Sequence, residues 1–429
     1  MKPGIGRRVG QNASVPRRVT MRVAVTAAAL GAVVGTSVGI APAALADDDV
    51  QSQEWFLDAM DAKAIWKVST GKGVKVAVID SGVSDSTSSL KGQVLAGETP
   101  KSVAYHATKD YDGHGTTIAE LIAGTGSGGG IKGLAPGAKI VPYRVLLSEL
   151  KDKSEQARTP DPEDAVRAAA DTDAKIINMS LGDPLVNPDL ASAIKYAHSK
   201  GKLMFASVGN NAEERNRVEY PAAYDGVVGV AAADDTGKVG KFSSHGRYVD
   251  LAAPGLNIPH WCDATLTSYC GGAQGTSAAA AIASGAAALI WSAHPDWTAN
   301  QVLRVLKDTA GRSWPKDRPS AYLGYGLVRP ARNLLHGEGD PGPADVDPIT
   351  NEKTTTEAGS GADTTPSASA SDSSQPTRNA SEVPAEAAGS EAKPSSNDSN
   401  TLWIVLGAVA AVIVVGGGGF AVMRARRSQ

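Results

Sequence analysis

Short apolar runs punctuate the middle of the chain: "VKVAVID" (74–80), "KIVPYRVL" (139–146), "AKIINMSLG" (174–182), "KLMFASVGN" (202–210) and "GVVGVAA" (226–232). Their hydrophobicity is nearly continuous rather than alternating, the pattern of strands covered on both faces of a parallel sheet. Segments that read as helices fall between them, around 119–123, 163–170 and 189–200. A further stretch, "GTSAAAAIASG" (275–285), joins the residue of best helix propensity to a Gly-Thr-Ser start. This alternation predicts an α/β fold, a parallel sheet with helices on both faces, with ligands beyond the carboxyl ends of the strands.

Both ends of the chain break this pattern. Arg7, Arg8, Arg17, Arg18 and Arg22 precede an uncharged stretch from Val23 that closes on Ala44-Leu45-Ala46. That is the form of a secretory signal peptide, residues 1–46, with an A-x-A cleavage site; an uncleaved anchor is the alternative. "LWIVLGAVAAVIVVGGGGFAVM", from Leu402, is long enough to cross a bilayer and carries no charge. The "RARR" after it places a basic tail (424–429) in the cytoplasm and everything before the expected transmembrane helix (401–423) outside. Residues 336–400 are rich in Ser, Thr, Ala, Pro and acidic residues and nearly lack large apolar ones, so they read as a disordered stalk. A short N-terminal extension (47–64) and one folded body (65–335) remain, and the body is of a size natural for a single domain.

A net charge of -3 with 20% charged residues carries no signature of a nucleic-acid partner. The two cysteines, Cys262 and Cys270, are close in sequence, and outside the cell they are expected to be bridged. No Cys/His spacing resembles a zinc site and no acidic loop an EF-hand, so no cofactor is expected and no metal site is located in the sequence.

Three polar residues interrupt the apolar framework where a site would form. Asp80 ends the first run in "VAVIDSGV", His114 opens a helix in "DGHGTTIAELIAG", and Ser277 opens the Ala-rich helix. Each has an ordinary structural explanation: a turn former with Ser81-Gly82, a helix-start residue and an N-cap. Together they supply the parts of acyl-transfer catalysis. A serine hydroxyl is a weak nucleophile until a base takes its proton, and the base needs a carboxylate to hold its tautomer. Since that base must be neutral, activity is expected to fall as pH drops through about 6 to 7.

"VAVIDSGV", "DGHGTTIAELIAG", "SVGNN" and "GTSAAAAIASG" resemble the motif blocks of the subtilisin-like serine proteases, in that family's Asp, His, Ser order, and the resemblance covers about residues 66–332. It implies a serine endopeptidase with a protein or peptide substrate, and it assigns Asn210 to the oxyanion hole, with the Ser277 N–H as second donor. It also implies that Ser180, Leu181 and Gly182 form an edge that pairs with substrate backbone, and that "YPAAYDGVVGV" and "VDLAAPG" shape the core and the pocket floor. With its signal peptide, stalk and anchor, the chain is most similar to the mycosins, membrane-anchored subtilases associated with actinobacterial type VII secretion. That likeness implies the cytoplasmic membrane, held by one helix, and subunits of a secretion complex as partners.

The sequence departs from the family in two places. Many members have a proline four residues after the serine, where this chain has Ala281. Secreted members usually carry an inhibitory domain after the signal, whereas only "DDDVQSQEWFLDAMDAKAIW" and a few more residues precede the first strand here, so that stretch is expected to wrap the protease. The charged stretch "SELKDKSEQARTPDPED", from Ser148, reads as a solvated surface loop, with a partner-docking loop as the alternative. Functionally, a processing protease for exported proteins stands against a scaffold of a secretion complex with incidental cleavage; tethering argues against a broad nutritional protease.

Overall fold

The computed structural model describes residues 50–354. The signal peptide, most of the stalk, the expected transmembrane helix and the basic tail lie outside the described residues. Among the described residues, a six-stranded sheet is built from β1 (Lys75–Asp80), β2 (Lys139–Arg144), β3 (Ile176–Met179), β4 (Leu203–Ser207), β5 (Val227–Ala233) and β6 (Leu251–Pro254). Its order is β2-β1-β3-β4-β5-β6 and every pairing is parallel. A separate antiparallel hairpin joins β7 (Ile258–Trp261) and β8 (Tyr269–Ala273). The helices, in chain order, are α1 (Trp55–Ala59), α2 (Ala62–Ile65), α3 (His114–Ala123), α4 (Lys153–Gln156), α5 (Pro162–Ala170), α6 (Pro188–Ser199), α7 (Thr276–Ala293), α8 (Ala299–Thr309) and α9 (Pro330–Leu334).

Successive strand residues point to opposite faces, so each strand serves two cores. Val76 and Val78 of β1 join one core with α3 and α7, while Ala77 and Ile79 join the other with α5 and α6. This is why the strands read as continuously apolar. Helix α7 runs against β3, β4, β5 and β6, and its alanines let it lie close to them. By length and composition it could cross a membrane, yet it is 83% buried within the domain, as expected for a central helix that is apolar all round.

The folded body extends beyond both of its expected ends. Phe56 and Ala62 of the N-terminal segment are fully buried in the α3/α7 core, and Trp55 Nε1 donates to the Leu256 carbonyl at 2.9 Å. Residues 337–354, read from composition as the start of the stalk, instead pack on α8. Arg304 donates to the Val346 carbonyl (2.7 Å), and Asn300 donates to Thr354 Oγ1 (2.6 Å). These anchors are polar contacts to backbone or hydroxyl oxygens, which hydrophobic patterning does not register.

The sheet order reverses between β1 and β3, because the chain leaves β1 for β2 and returns on the other side. At such a switch point the connections diverge and open a crevice at the carboxyl ends of the strands. Asp80 and Ser180 stand at its two lips.

Candidate active site

One cleft of about 830 Å3 takes in Asp80, His114, Ser180, Leu181, Gly182, Asn210 and Ser277. The structure therefore gathers every residue singled out for the site, from the ends of β1, β3 and β4 and the starts of α3 and α7.

Asp80 is fully buried as the last residue of β1. Its Oδ1 accepts from the Ser81 N–H at 2.8 Å and from His114 Nδ1 at 2.7 Å. A carboxylate oxygen accepts, so the ring proton sits on Nδ1, and Nε2 is the nitrogen left for the cleft. The approach of α3 to β1 depends on Gly115: a Cβ there would stand 2.2 Å from the Gly82 carbonyl oxygen and 3.0 Å from Asp80 Cβ. Sequence reading missed Asp110, which fastens this helix start from outside. Its Oδ1 accepts from the N–H of Asp112 (3.0 Å) and Gly113 (2.8 Å), and its Oδ2 from the N–H of Thr116 (2.8 Å). Ser81 links the two carboxylates, donating to Asp110 Oδ1 (2.8 Å) and accepting from the Gly115 N–H (2.9 Å).

Burial pulls the His114 pKa down, but the charge of Asp80, its hydrogen bond, and the charges of Asp110 and Asp112 outweigh that and raise it to about 9. The value lies above the ordinary histidine range expected from the sequence.

Ser277 does not cap its helix. Gly275 is the N-cap of α7 and provides no side chain, and the Ser277 hydroxyl points instead to the Ser180 carbonyl, at 3.4 Å. Ser180 Oγ in turn donates to the Ser277 carbonyl at 3.0 Å, tying the strand edge to the helix. Among the described residues no hydrogen bond joins Ser277 Oγ to His114, a contact that commonly tightens only when substrate is bound.

The capping role falls to Asn210, whose Oδ1 accepts the Thr276 N–H at 2.9 Å and the Thr276 hydroxyl at 3.0 Å. A backbone N–H can only donate, so the amide oxygen must face it. The amide nitrogen then faces away from Thr276 and is left to donate, as are unpaired N–H groups of the first turn of α7. Such a pair can stabilise negative charge building on an oxygen.

The stretch from Ser148 is largely exposed, as expected of a surface segment, but it is tied to the site. Leu147, Ser148, Glu149, Asp161 and Glu163 form part of the cleft wall. Behind them, Glu155 pairs with the buried Arg144 at 2.8 Å, and the Arg144 guanidinium holds the Glu155 carboxyl down at about 2. Arg144 ends β2 directly beside Asp80 in register, so an ion pair that the apolar pattern does not show ties this segment to the site.

Cys262 and Cys270 are joined in a disulfide that closes the β7–β8 hairpin just before α7. The enclosed loop reaches the other side of the site as well: a Cβ on Gly113, next to His114, would stand 2.6 Å from the Asp263 carbonyl oxygen.

The subtilase family model matches residues 71–326. Thermitase of Thermoactinomyces vulgaris is 32% identical over 291 residues, covering 64% of this chain and 97% of thermitase. Fervidolysin of Fervidobacterium pennivorans is 32% identical over 317 residues, covering 66% of this chain but 44% of fervidolysin, so the chain spans less than half of that relative. Among solved structures, the MycP3 protease from the type VII (ESX-3) secretion system superposes with a TM-score of 0.53 at 30% identity, over 65% of this chain and 87% of that one.

Proposed function

The chain belongs to the subtilase family of serine endopeptidases, and from that premise we propose that Ser277 is its nucleophile, His114 its general base and then acid, Asp80 the group that orients the imidazole, and Asn210 an oxyanion donor. The observation that carries this reading is the 2.7 Å Asp80–His114 hydrogen bond in the same cleft as Ser277 and Asn210. In the proposed cycle, Ser277 Oγ attacks the scissile carbonyl carbon as its proton passes to His114 Nε2. The tetrahedral oxyanion is met by Asn210 Nδ2 and the Ser277 N–H. The imidazolium then protonates the leaving amine, and water repeats the sequence to release the acid. A fluorophosphonate probe tests the assignment: it should label the wild-type chain and not Ser277→Ala, and labelling of both would place the nucleophile elsewhere.

The same reading extends to where the enzyme works. A mature chain starting near Asp47 would be secreted, held by the 402–423 span and turned outward, there processing exported proteins at a type VII secretion system. Support comes from the composition of the two chain ends and from likeness to MycP3, a protease from a type VII (ESX-3) secretion system. Mass spectrometry of the extracellular proteome of wild-type and Ser277→Ala cells should show exported proteins left unprocessed in the variant. Secretion and processing both unchanged would remove this role.

A further inference from the structure

The cleft carries a charge that the proposed chemistry does not use. Asp112, Glu149, Asp161, Glu163, Asp183 and Glu219 line it together with Asp80, and among the described residues no lysine or arginine does. Of these, Glu219 occupies a distinctive place. Its Oε2 lies 2.2 Å from where a Cβ on Gly182 would be and 2.7 Å from where one on Gly209 would be. Gly182 ends the segment 180–182 that follows β3, and Gly209 precedes Asn210 after β4. The carboxylate thus fills the gap between the two strand ends, a gap that exists only because both wall residues lack a side chain.

Asn211 Nδ2 donates to Glu219 Oε1 and fixes the carboxylate, and among the described residues no cation pairs with it. Glu219 is half-buried, and burial, with Asp183 nearby, pushes its carboxyl above the ordinary range. A charge kept in such a position with an amide donor but no counter-ion is destabilising until a cation reaches it.

The geometry of catalysis says what would arrive there. A substrate lying along 180–182, with its scissile carbonyl between Ser277 and Asn210, has the side chain of the residue that supplies that carbonyl entering between the 180–182 and 209–211 segments. We propose that Glu219 makes this protease select arginine or lysine on the acyl side of the scissile bond, a proposal that rests on Ser277 being the nucleophile. The guanidinium or ammonium group would meet Oε2 across the glycine walls, with Asp183 and the other carboxylates adding a field that draws basic segments into the cleft.

The test separates binding from chemistry. p-Aminobenzamidine, a small aromatic cation whose fluorescence rises on binding, is titrated into the full chain as wild type, Ser277→Ala and Glu219→Gln. Wild type and Ser277→Ala should bind it alike, with Glu219→Gln weaker by roughly 10-fold or more, as expected for loss of a charged hydrogen bond. In parallel, two peptides differing only in arginine or leucine at the acyl-side position are hydrolysed. The arginine-to-leucine ratio of kcat/KM should exceed 1 in the wild type and fall by about 10-fold or more in Glu219→Gln. No binding, equal binding by Glu219→Gln, or an unchanged ratio overturns the proposal; so does an equal fall on both peptides, which would assign Glu219 to holding the fold. The catalytic reading fails by a different result, undiminished hydrolysis by Ser277→Ala.

Discussion

Asn210 and Thr276 are joined by two hydrogen bonds, from the Thr276 N–H and from its hydroxyl, both to Asn210 Oδ1. The Thr276 hydroxyl also accepts the Gly209 N–H at 3.2 Å, so one buried threonine holds the loop that carries Asn210. The proposed oxyanion donor therefore depends on the residue just before the nucleophile. Asn210→Ala should lower kcat by roughly 10²- to 10³-fold, a magnitude taken from the same loss in subtilisin rather than derived from this structure. Thr276→Val keeps the shape but strands the Gly209 N–H, and should cost about 1 to 3 kcal/mol of stability while also lowering kcat. Thermal denaturation and steady-state kinetics check both, and full activity in Thr276→Val would show that Asn210 is positioned by something else.

The carboxylates around His114 set opposite pH trends for activity and stability. Its folded-state pKa is raised above 6.5, to about 9. Stabilisation by the charged Asp80–His114 pair is therefore fully present below pH 6.5 and is lost as pH rises through about 9. Activity needs the neutral ring and runs the other way. Because 35% of the imidazole side chain faces solvent, water screens part of this field, and the acid limb of kcat/KM is expected between pH 6.5 and about 9. Asp80→Asn should move that inflection down along with the loss of rate. A wild-type inflection below 6.5 would contradict this electrostatic account.

The disulfide braces both halves of the site, since its hairpin leads into α7 and its loop rests on Gly113. For so short a loop, the chain-entropy model gives on the order of 2 to 3 kcal/mol. The double variant Cys262→Ser, Cys270→Ser should melt at a lower temperature than the wild type and match the reduced wild type. It should keep some order in the hairpin, because Trp261 still stacks on Tyr269 at 3.8 Å between ring centroids. Equal midpoints with and without reductant would remove the bridge from the stability of this domain.

Much of the architecture was legible in the chain because it is local. The expected strands at 74–80, 139–146 and 202–210 are found as Lys75–Asp80, Lys139–Arg144 and Leu203–Ser207, since a strand buried on both faces must be apolar at every position. Asp80, His114 and Ser277 stood out for the complementary reason, as polar groups where apolar runs end or begin. The apolar pattern did not single out β6 as a strand, though its residues fall within the "VDLAAPG" placed in the core by family likeness, nor the β7–β8 hairpin, whose exposed glycines match no apolar pattern.

What the tertiary structure alone decided depends on which polar groups meet, whether a few residues apart or across the chain. Asp110 fastening the His114 helix, Asn210 capping α7 across 66 residues, and Arg144 clamping Glu155 are all hydrogen bonds or ion pairs. Such contacts are directional and need partners within about 3 Å, and a one-dimensional pattern of polar residues cannot say which two will meet. Glu219 is the sharpest case. In the sequence it is one of several acids in "NNAEERNRVEYPAAY"; only the folding of two glycine-bearing strand ends around it turns that acid into the floor of a cleft.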